Sequence, residues 1–387
     1  MARTLIFVDH APALGGAERS LLLLLHHLDR ERFAPELACA GGPLAGRARE
    51  LGVPVHLVPL ARLRGTGRGL VRWAAGARAL RRLARQRGAA LLVANTVRAA
   101  LYTAAAGVPW VWHMRDFWLS EARPRHLWAD RLGKRLLCAS ARGVLANSRA
   151  VAAALPCPGR VAVVHNGVEV GEFDPALDGG PFRLEHRIPP AAPLVGVVGR
   201  LRPWKGQDRF LRAMARAAGE VPGLHLAVVG GDIFPAGSCG GAGSEGYAAH
   251  LRSLAGELGL GERVAFTGQL DDVRRALAAM DVFVHPGDPE PFGLVTVEAM
   301  AMERPVVAFA QGALPEIVAD GETGLLVPPG DQAALAGAVV ELLRDPERRR
   351  RLGRAGRRRA EAMFTARAMA ARFADALAAV VWPRPPS

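Results

Sequence analysis

Two carboxylates in the second half of the chain lie on either side of a predicted helix start. Glu290 precedes a predicted helix and Glu298 lies inside it, eight residues later. Gly293 allows close backbone approach, and the amides near Leu294 and Val295 can bind phosphate at the start of the helix. Glu290 can accept hydrogen bonds from sugar hydroxyls and Glu298 can reach a ribose diol. Taken alone, the pair also fits an acidic helix start followed by an exposed helical glutamate.

Two cations, Arg200 and Lys205, follow directly after the apolar run 194–198. An arginine fork and a lysine point charge suit the two phosphates of a diphosphate leaving group. The alternative is a pair of solvated surface cations. The chain has only two lysines, Lys134 and Lys205, so a lysine in this loop favours the functional interpretation.

A third candidate is the pair Gly15-Gly16, placed between a predicted strand and a predicted helix. Glycines at a helix start let the backbone approach an oxyanion, where free N–H groups supply positive potential. The sequence is not GxGxxG, so a dinucleotide fingerprint is absent. A purely structural turn is an equally ordinary interpretation.

Short apolar runs alternate with helical patterns along the whole chain, which predicts parallel sheets covered on both faces. The Gly-, Pro- and Asp-rich stretch 166–193 is interpreted as a linker, and 237–246 as a mobile loop. Two Rossmann-like domains with a ligand cleft between them are therefore expected, since ligands bind at the carboxyl ends of such strands. The predicted strands are 4–8, 34–40, 55–59, 90–94, 110–113, 143–146, 161–165, 194–198, 224–229, 264–267, 282–285, 306–309 and 325–327.

Charge and cysteine content limit the class of protein. The net charge is +14, but residues 1–165 hold 25 Arg and Lys against 9 Asp and Glu. This asymmetry indicates an anionic partner: nucleic acid, phospholipid or a phosphorylated substrate. The cysteines (Cys39, Cys138, Cys157 and Cys239) form no CxxC pair and predict reduced thiols. No apolar run suits a membrane span or a signal peptide, so a cytoplasmic location is expected.

In combination these motifs resemble the family 4 retaining glycosyltransferases of the GT-B fold. The resemblance covers essentially the whole chain and also rests on His165-Asn166-Gly167-Val168 and on the segment 320–328. It implies an N-terminal acceptor-binding domain at 1–166, a C-terminal nucleotide-sugar-binding domain at 167–365, and a terminal helix, 366–387, that packs back on the first domain.

The resemblance also implies residue roles. The Gly16 amide, with Gly15 beside it, and the Arg200/Lys205 pair should hold the diphosphate. Glu298 should bind ribose and Glu290 the donor sugar, and His113, which ends a strand, should lie near the transferred sugar. Phe292, Gly293, Leu294 and Val295 should line the phosphate and sugar pocket, and the base should sit near Gly230, Gly231 and Leu270. Asn95 and Thr96, with Glu18, are candidates for acceptor contacts.

Two positions depart from the family pattern. Glu303 and Ala313 stand where relatives commonly have glycine. A glycine lost at a helix end can destabilise by on the order of 1 kcal/mol if the left-handed conformation is kept. Neither change removes a proposed ligand group.

The expected reaction is breakage of the C1–O bond of a UDP- or GDP-sugar, with the diphosphate stabilised by Arg200, Lys205 and helix amides. No cofactor or metal is expected, because these cations can replace Mg²⁺. The resemblance implies retention by front-face attack. A GT-B epimerase or phosphorylase is an alternative, and a nucleic-acid-binding protein a remote one. The acceptor stays open among a lipid-linked molecule, a polysaccharide and a small aglycone.

A basic stretch in the first half raises the question of a membrane surface. Residues 61–88 carry nine arginines and no acidic residue. Leu70, Trp73 and Leu80 fall on one side of the predicted helix. A basic amphipathic helix suits an anionic membrane interface. Packing of the same stripe on the sheet is the alternative.

Overall fold

The computed structural model describes residues 2–11, 13–61, 67–119, 123–231 and 244–381. It divides into two compact units, of which unit 1 comprises 1–168 and 365–387 and unit 2 comprises 169–364. The domain limits expected from the sequence, after 166 and after 365, differ from these by two residues and one residue.

Unit 1 contains a seven-stranded parallel sheet in the order β3-β2-β1-β4-β5-β6-β7. Its strands are β1 (Arg3–Asp9), β2 (Phe33–Cys39), β3 (Val55–Leu57), β4 (Leu91–Ala94), β5 (Trp110–Met114), β6 (Gly143–Ala146) and β7 (Val161–Val163). Its helices are α1 (Gly16–His27), α2 (Pro43–Glu50), α3 (Gly67–Gln86), α4 (Val97–Ala106), α5 (Leu127–Ser140), α6 (Arg149–Ala153) and the C-terminal α15 (Ala366–Val381).

Unit 2 contains a six-stranded parallel sheet in the order β10-β9-β8-β11-β12-β13. Its strands are β8 (Leu194–Val198), β9 (His225–Val229), β10 (Val264–Gly268), β11 (Val282–His285), β12 (Val306–Phe309) and β13 (Gly324–Val327). Its helices are α7 (Gly180–Glu185), α8 (Gln207–Glu220), α9 (Ser244–Glu257), α10 (Arg274–Ala279), α11 (Leu294–Ala301), α12 (Leu314–Ile317), α13 (Gln332–Arg344) and α14 (Pro346–Met363). All thirteen predicted strands are confirmed, each within two residues at either end.

The side chains of β1 point alternately to the two faces of the sheet, which explains why the strands appear in the sequence as continuous apolar runs. Leu5 and Phe7 pack into a core on one face of the sheet, which α15 joins through Phe373. Ile6 and Val8 pack into a second core on the other face, beneath α3, α4 and α5. Both faces of the strand are therefore buried, which requires apolar residues at successive positions.

One expectation about the chain segments needs correction. The stretch 166–193 is not a free linker, because from residue 169 it belongs to unit 2 and contains α7. Arg183 of α7 ties it down by donating to the carbonyls of Ala192 and Ala279 at 2.8 and 2.7 Å. Most of the segment 237–246 lies outside the described residues, and its last three residues begin α9.

The prediction that all four cysteines are reduced thiols was wrong for one pair. Cys138, near the end of α5, is joined to Cys157 by a disulfide across 19 residues of sequence. The spacing gave no sign of this pairing, because it depends on how α5 and the segment after α6 pack together. Cys39 is a buried free thiol, and Cys239 lies outside the described residues.

The apolar stripe predicted on the basic helix lies mostly inward. Leu80 of α3 is fully buried, and Trp73 and Leu83 pack against the core beneath that helix. Leu70, at the start of the stripe, is 63% exposed. Most of the stripe thus follows the packing alternative, and residues 62–66 of the basic stretch lie outside the described part.

Candidate active site

The central feature of unit 2 is an ion pair at the carboxyl ends of two adjacent strands. β8 and β11 are neighbours in the sheet, so the loops that follow them meet at one edge. The Nζ of Lys205, after β8, donates to the Oε2 of Glu290, after β11, at 2.7 Å. The Nε2 of His285, the last residue of β11, lies 3.8 Å from the same oxygen. The fold thus brings together two of the predicted site residues that are 85 residues apart in sequence.

Burial and neighbouring charges set the protonation of this group. Burial would raise the pKa of Glu290, but the Lys205 ammonium, His285 and Arg200 together hold it below its ordinary value. Burial lowers the pKa of His285 to about 4, against the opposing attraction of Glu290. At neutral pH the edge therefore carries an ionised Glu290, a neutral His285 and the cations of Arg200 and Lys205.

The start of α11, next to this ion pair, has amides that can bind an anion. Gly293 precedes the helix with a φ of +90°, a left-handed conformation that favours glycine, and a Cβ there would lie 3.0 Å from the Leu314 side chain. Leu294 and Val295 are the first helical residues, whose amides have no acceptor within the helix. Glu298 is half-buried in the following turn.

Phe292 takes a different place from the pocket lining that was predicted. Its ring is 2% exposed and packs edge-on against Phe364, with centroids 5.9 Å apart. The side chain is part of the core of unit 2. A ligand would meet this residue through its backbone.

The glycines after β8 and β9 serve close backbone packing. Gly230 has a φ of +143°, and a Cβ on it would clash with the carbonyl oxygen of Gly199. A Cβ on Gly231 would lie 2.9 Å from the amide of Gln269, and Leu270 beside it is half-buried. These backbones form the floor where the base is predicted to bind, and that role stays a prediction.

In unit 1, the predicted glycine pair is already partly engaged. The Gly15 amide donates to the Oε2 of Glu18 at 2.8 Å, and α1 begins at Gly16. Glu18 is 6% exposed, and burial together with nearby Asp9 raises its pKa to about 7. Glu18 therefore shapes the glycine turn from inside, and the Gly16 amide is the one left without an intrahelical acceptor.

His113 ends its strand inside a buried polar network. Its Nδ1 lies 3.3 Å from the Nη2 of Arg115, and its ring packs 5.5 Å from that of Phe373. Because a guanidinium can only donate, Nδ1 must be the acceptor and the ring proton sits on Nε2. Burial, reinforced by the Arg115 charge, lowers the pKa of His113 well below its ordinary value. The Nε2–H has no hydrogen-bond partner among the described residues.

Arg115 is the hub of this network and was not predicted as a site residue. Its Nε donates to the Oδ1 of Asn95 at 2.6 Å, and its Nη1 donates to Ser20 Oγ and Asn166 Oδ1 at 2.7 and 2.6 Å. Asn95 in turn donates to Asp9 at 2.6 Å. Burial lowers the pKa of Arg115 to about 10, which leaves it cationic at neutral pH.

The two predicted acceptor residues after β4 have structural partners. Asn95 is fully buried between Asp9 and Arg115. Thr96 caps α4 by accepting from the Ala99 amide at 3.3 Å, and its Oγ1 lies 2.7 Å from the Nδ1 of His10. Of the two, only Thr96 is partly exposed.

Arg115 could have been found from the sequence. It stands in Trp112-His113-Met114-Arg115-Asp116, two residues after the histidine that was predicted.

Within the described ranges, no group of three or more His, Cys, Asp and Glu side chains is placed to hold a metal ion. None of the helices in that part of the chain is both long and apolar enough to cross a bilayer.

Comparisons with known proteins identify the family. Residues 14–172 match the family model described as Glycosyltransferase Family 4, and residues 181–359 match Glycosyl transferases group 1. The D-inositol 3-phosphate glycosyltransferase of Mycolicibacterium gilvum is 41% identical over 189 residues, 48% of this chain and 39% of that protein. The chain thus aligns with about two fifths of this relative's length.

Two solved structures are similar over nearly the full chain. Anabaena Alr3699/HepE in complex with UDP-glucose is 25% identical, with a TM-score of 0.81 over 97% of this chain and 99% of that one. Sucrose-phosphate synthase from Thermosynechococcus elongatus is 25% identical, with a TM-score of 0.77 over 96% and 98%. With both family models matched in order along its two α/β units, the chain belongs to glycosyltransferase family 4 and has the GT-B type of fold.

Proposed function

We propose that this protein transfers a hexosyl group from a UDP-sugar to an acceptor hydroxyl, with retention at the anomeric carbon and without a divalent metal. The observation that carries the proposal is the Lys205–Glu290 ion pair, 2.7 Å long, at the strand ends beside the start of α11. The pair sets an ammonium, which suits a diphosphate, beside a carboxylate, which suits sugar hydroxyls. In a nucleotide-sugar donor the diphosphate and the sugar are likewise adjacent. Support for uridine comes from Alr3699/HepE, whose structures contain UDP and UDP-glucose.

In this proposal, unit 2 stabilises the leaving group. The C1–O bond breaks through an oxocarbenium-like state, and negative charge builds on the diphosphate. Arg200, Lys205 and the first amides of α11 offset that charge by preorganised electrostatics. Because these groups supply positive charge, the proposal needs no Mg²⁺. Glu290, kept ionised by Lys205, accepts hydrogen bonds from the donor sugar, and Glu298 accepts them from ribose.

For unit 1 we assign two contacts to the donor. The Gly16 amide, at the positive end of α1, binds the diphosphate. His113 donates from Nε2 to a hydroxyl of the transferred sugar, because that N–H is unpartnered among the described residues and its tautomer is fixed by Arg115. A neutral histidine also adds no positive charge to oppose the oxocarbenium-like centre. The acceptor proton passes to the departing phosphate oxygen, so no protein base is assigned.

A donor panel tests the proposed substrate class. UDP-, GDP-, ADP- and TDP-sugars are compared by thermal stabilisation and by slow donor hydrolysis, before and after dialysis against EDTA. UDP-sugars should give the largest stabilisation, and hydrolysis should survive EDTA. Complete loss in EDTA with recovery in Mg²⁺ or Mn²⁺ would overturn metal independence, and preference for another base would overturn the assignment of uridine.

The division of labour between the two glutamates is tested by nucleotide binding. Glu298→Ala should weaken UDP and UDP-sugar alike, because both contain the ribose. Glu290→Gln should reduce turnover while the affinity for free UDP stays near wild type. Removing a charged hydrogen-bond acceptor typically weakens an interaction by ~1.5–3 kcal/mol. Equal loss of UDP affinity in both variants would contradict the assigned roles.

A further inference from the structure

Unit 1 presents a row of large apolar side chains on the outer face of α5. Trp128, Leu132 and Leu136 are 70%, 50% and 63% exposed, and they recur every four residues. Side chains at this spacing lie one above the other on a helix. At ~1.5 Å per residue the row is about 12 Å long. We call these three residues the outer row.

The outer row is not the edge of a core-facing stripe, because the opposite face of α5 is already packed. Leu137 and Cys138 belong to the core beneath the helix. Lys134, which is 3% exposed, pairs with Asp130 at 2.8 Å and lies 5.0 Å from the Trp118 ring centroid. At 100° per residue, these buried positions point about 180° away from the outer row. The helix is thus anchored on one side and leaves its apolar row in solvent.

Every exposed charged side chain between positions 123 and 142 is positive. Asp130 is the only acidic residue between positions 123 and 142, and it is buried against Lys134. Exposed arginines lie beside the row at 131 and 135, before it at 123 and 125, and after it at 142. An exposed apolar patch edged by exposed cations is unusual on a soluble surface and marks a binding site.

A second exposed apolar point lies on the same side of the sheet. Leu70 and Val71, near the start of α3, are 63% and 69% exposed, and Arg72 follows them. Helices α3 and α5 both pack against α4 over the same core. The exposed part of α3 and the outer row of α5 therefore belong to one face of unit 1.

We propose that the outer row of α5, with its flanking arginines, is the surface through which this protein docks on an anionic lipid bilayer. Leucines and a tryptophan enter the interface between headgroups and acyl chains, where indole rings are favoured. The arginines meet lipid phosphates, and each contributes roughly fivefold in affinity at low salt. The proposal moves the predicted membrane contact from α3, whose stripe is mostly buried, to α5. It does not depend on the proposed transferase reaction.

Vesicle sedimentation of the full chain tests the proposal. The probes are vesicles of phosphatidylcholine alone and of phosphatidylcholine with about one third phosphatidylglycerol. Binding should occur with the anionic vesicles, fall as salt rises, and be weak with the neutral ones. Leu132→Ser with Leu136→Ser should reduce binding roughly tenfold or more, and Arg131→Gln with Arg135→Gln by a similar factor.

Matched controls come from unit 2. Leu184 of α7 is 83% exposed, so Leu184→Ser removes an exposed leucine elsewhere. Arg350→Gln with Arg354→Gln on α14 makes the same change in net charge at two exposed arginines. Both controls should bind as wild type does. Circular dichroism and thermal unfolding show that each variant is folded.

Three results would overturn the proposal. The first is no sedimentation with anionic vesicles at low salt. The second is an equal loss of binding in the α5 variants and the α14 control, which would show a dependence on net charge alone. The third is unchanged vesicle binding in Leu132→Ser with Leu136→Ser, together with loss of a concentration-dependent dimer, which would assign the outer row to a second copy of the chain.

Discussion

Replacing Lys205 with methionine separates its part in stability from its part in the reaction. Lys205→Met keeps most of the aliphatic stem and removes the ammonium that lies 2.7 Å from Glu290. A hydrogen bond to a charged group contributes about 1.5–3 kcal/mol. Both side chains are about one-fifth exposed, at 21% and 20%, so solvent screens part of the interaction. We therefore expect a loss of about 2 kcal/mol in the free energy of unfolding.

A double-mutant cycle with Glu290→Gln isolates the pair. The neutral amide needs no counter-charge, so Lys205→Met with Glu290→Gln should recover much of the lost stability, with a coupling of about 2 kcal/mol. Activity should behave differently, because in the proposed reaction the ammonium also stabilises the departing diphosphate. Lys205→Met should lower kcat by roughly 10²-fold, and the double variant should show no recovery.

Urea unfolding measures the free energy of unfolding, and a UDP-release assay measures kcat. If the double variant were as active as Glu290→Gln alone, Lys205 would act only through Glu290, and its role at the diphosphate would be refuted. A coupling below about 0.5 kcal/mol would show that the ion pair contributes little to the fold in solution.

Three further predictions concern single residues. Glu303 has a φ of +56° after α11, so Glu303→Gly should raise the free energy of unfolding by about 1 kcal/mol. Ala313 has a φ of −85°, so Ala313→Gly should bring no such gain, and equal urea midpoints for Glu303→Gly and wild type would contradict the prediction. The pKa of Glu18 is raised from 4.5 to about 7, so the free energy of unfolding of wild type should fall relative to that of Glu18→Gln as the pH rises between these two values. Parallel curves of unfolding free energy against pH for the two proteins would contradict this. Because the pKa of His113 is far below its usual value, kcat should show no step from this residue between about pH 6 and 8, and a step that disappears in His113→Gln would refute its neutrality.

The sequence predicted the sheets well because a buried parallel strand leaves a local signature. Each apolar run such as Leu194–Val198 is bounded by glycine, proline or polar residues, and its period does not depend on distant contacts. The left-handed turn at Glu303 was likewise foreseen from a missing glycine, and the structure keeps that conformation at a φ of +56°. Lys205 and Glu290 could be placed at the same edge of the sheet, because each lies in a loop that follows a predicted strand.

Features that depend on tertiary packing could not be predicted. Arg115 connects Ser20, Asn95 and Asn166, which are distant in sequence and become neighbours only when the sheet forms. The Cys138–Cys157 disulfide has the same origin. For helices, an apolar stripe between arginines has the same pattern whether it faces a sheet or a membrane. Only the structure shows that α3 buries most of its stripe and that α5 exposes its own.

The scarcity of lysine has a practical consequence for chemical labelling. Of the two lysines, Lys134 is 3% exposed and held by Asp130. The side chain of Lys205 is 21% exposed. Amine-reactive reagents should therefore find almost no side-chain target on this protein other than Lys205. The rate of acylation at Lys205, followed optically or by mass spectrometry, would report on occupancy of the proposed diphosphate position. Immobilisation of the protein through lysine would block that position.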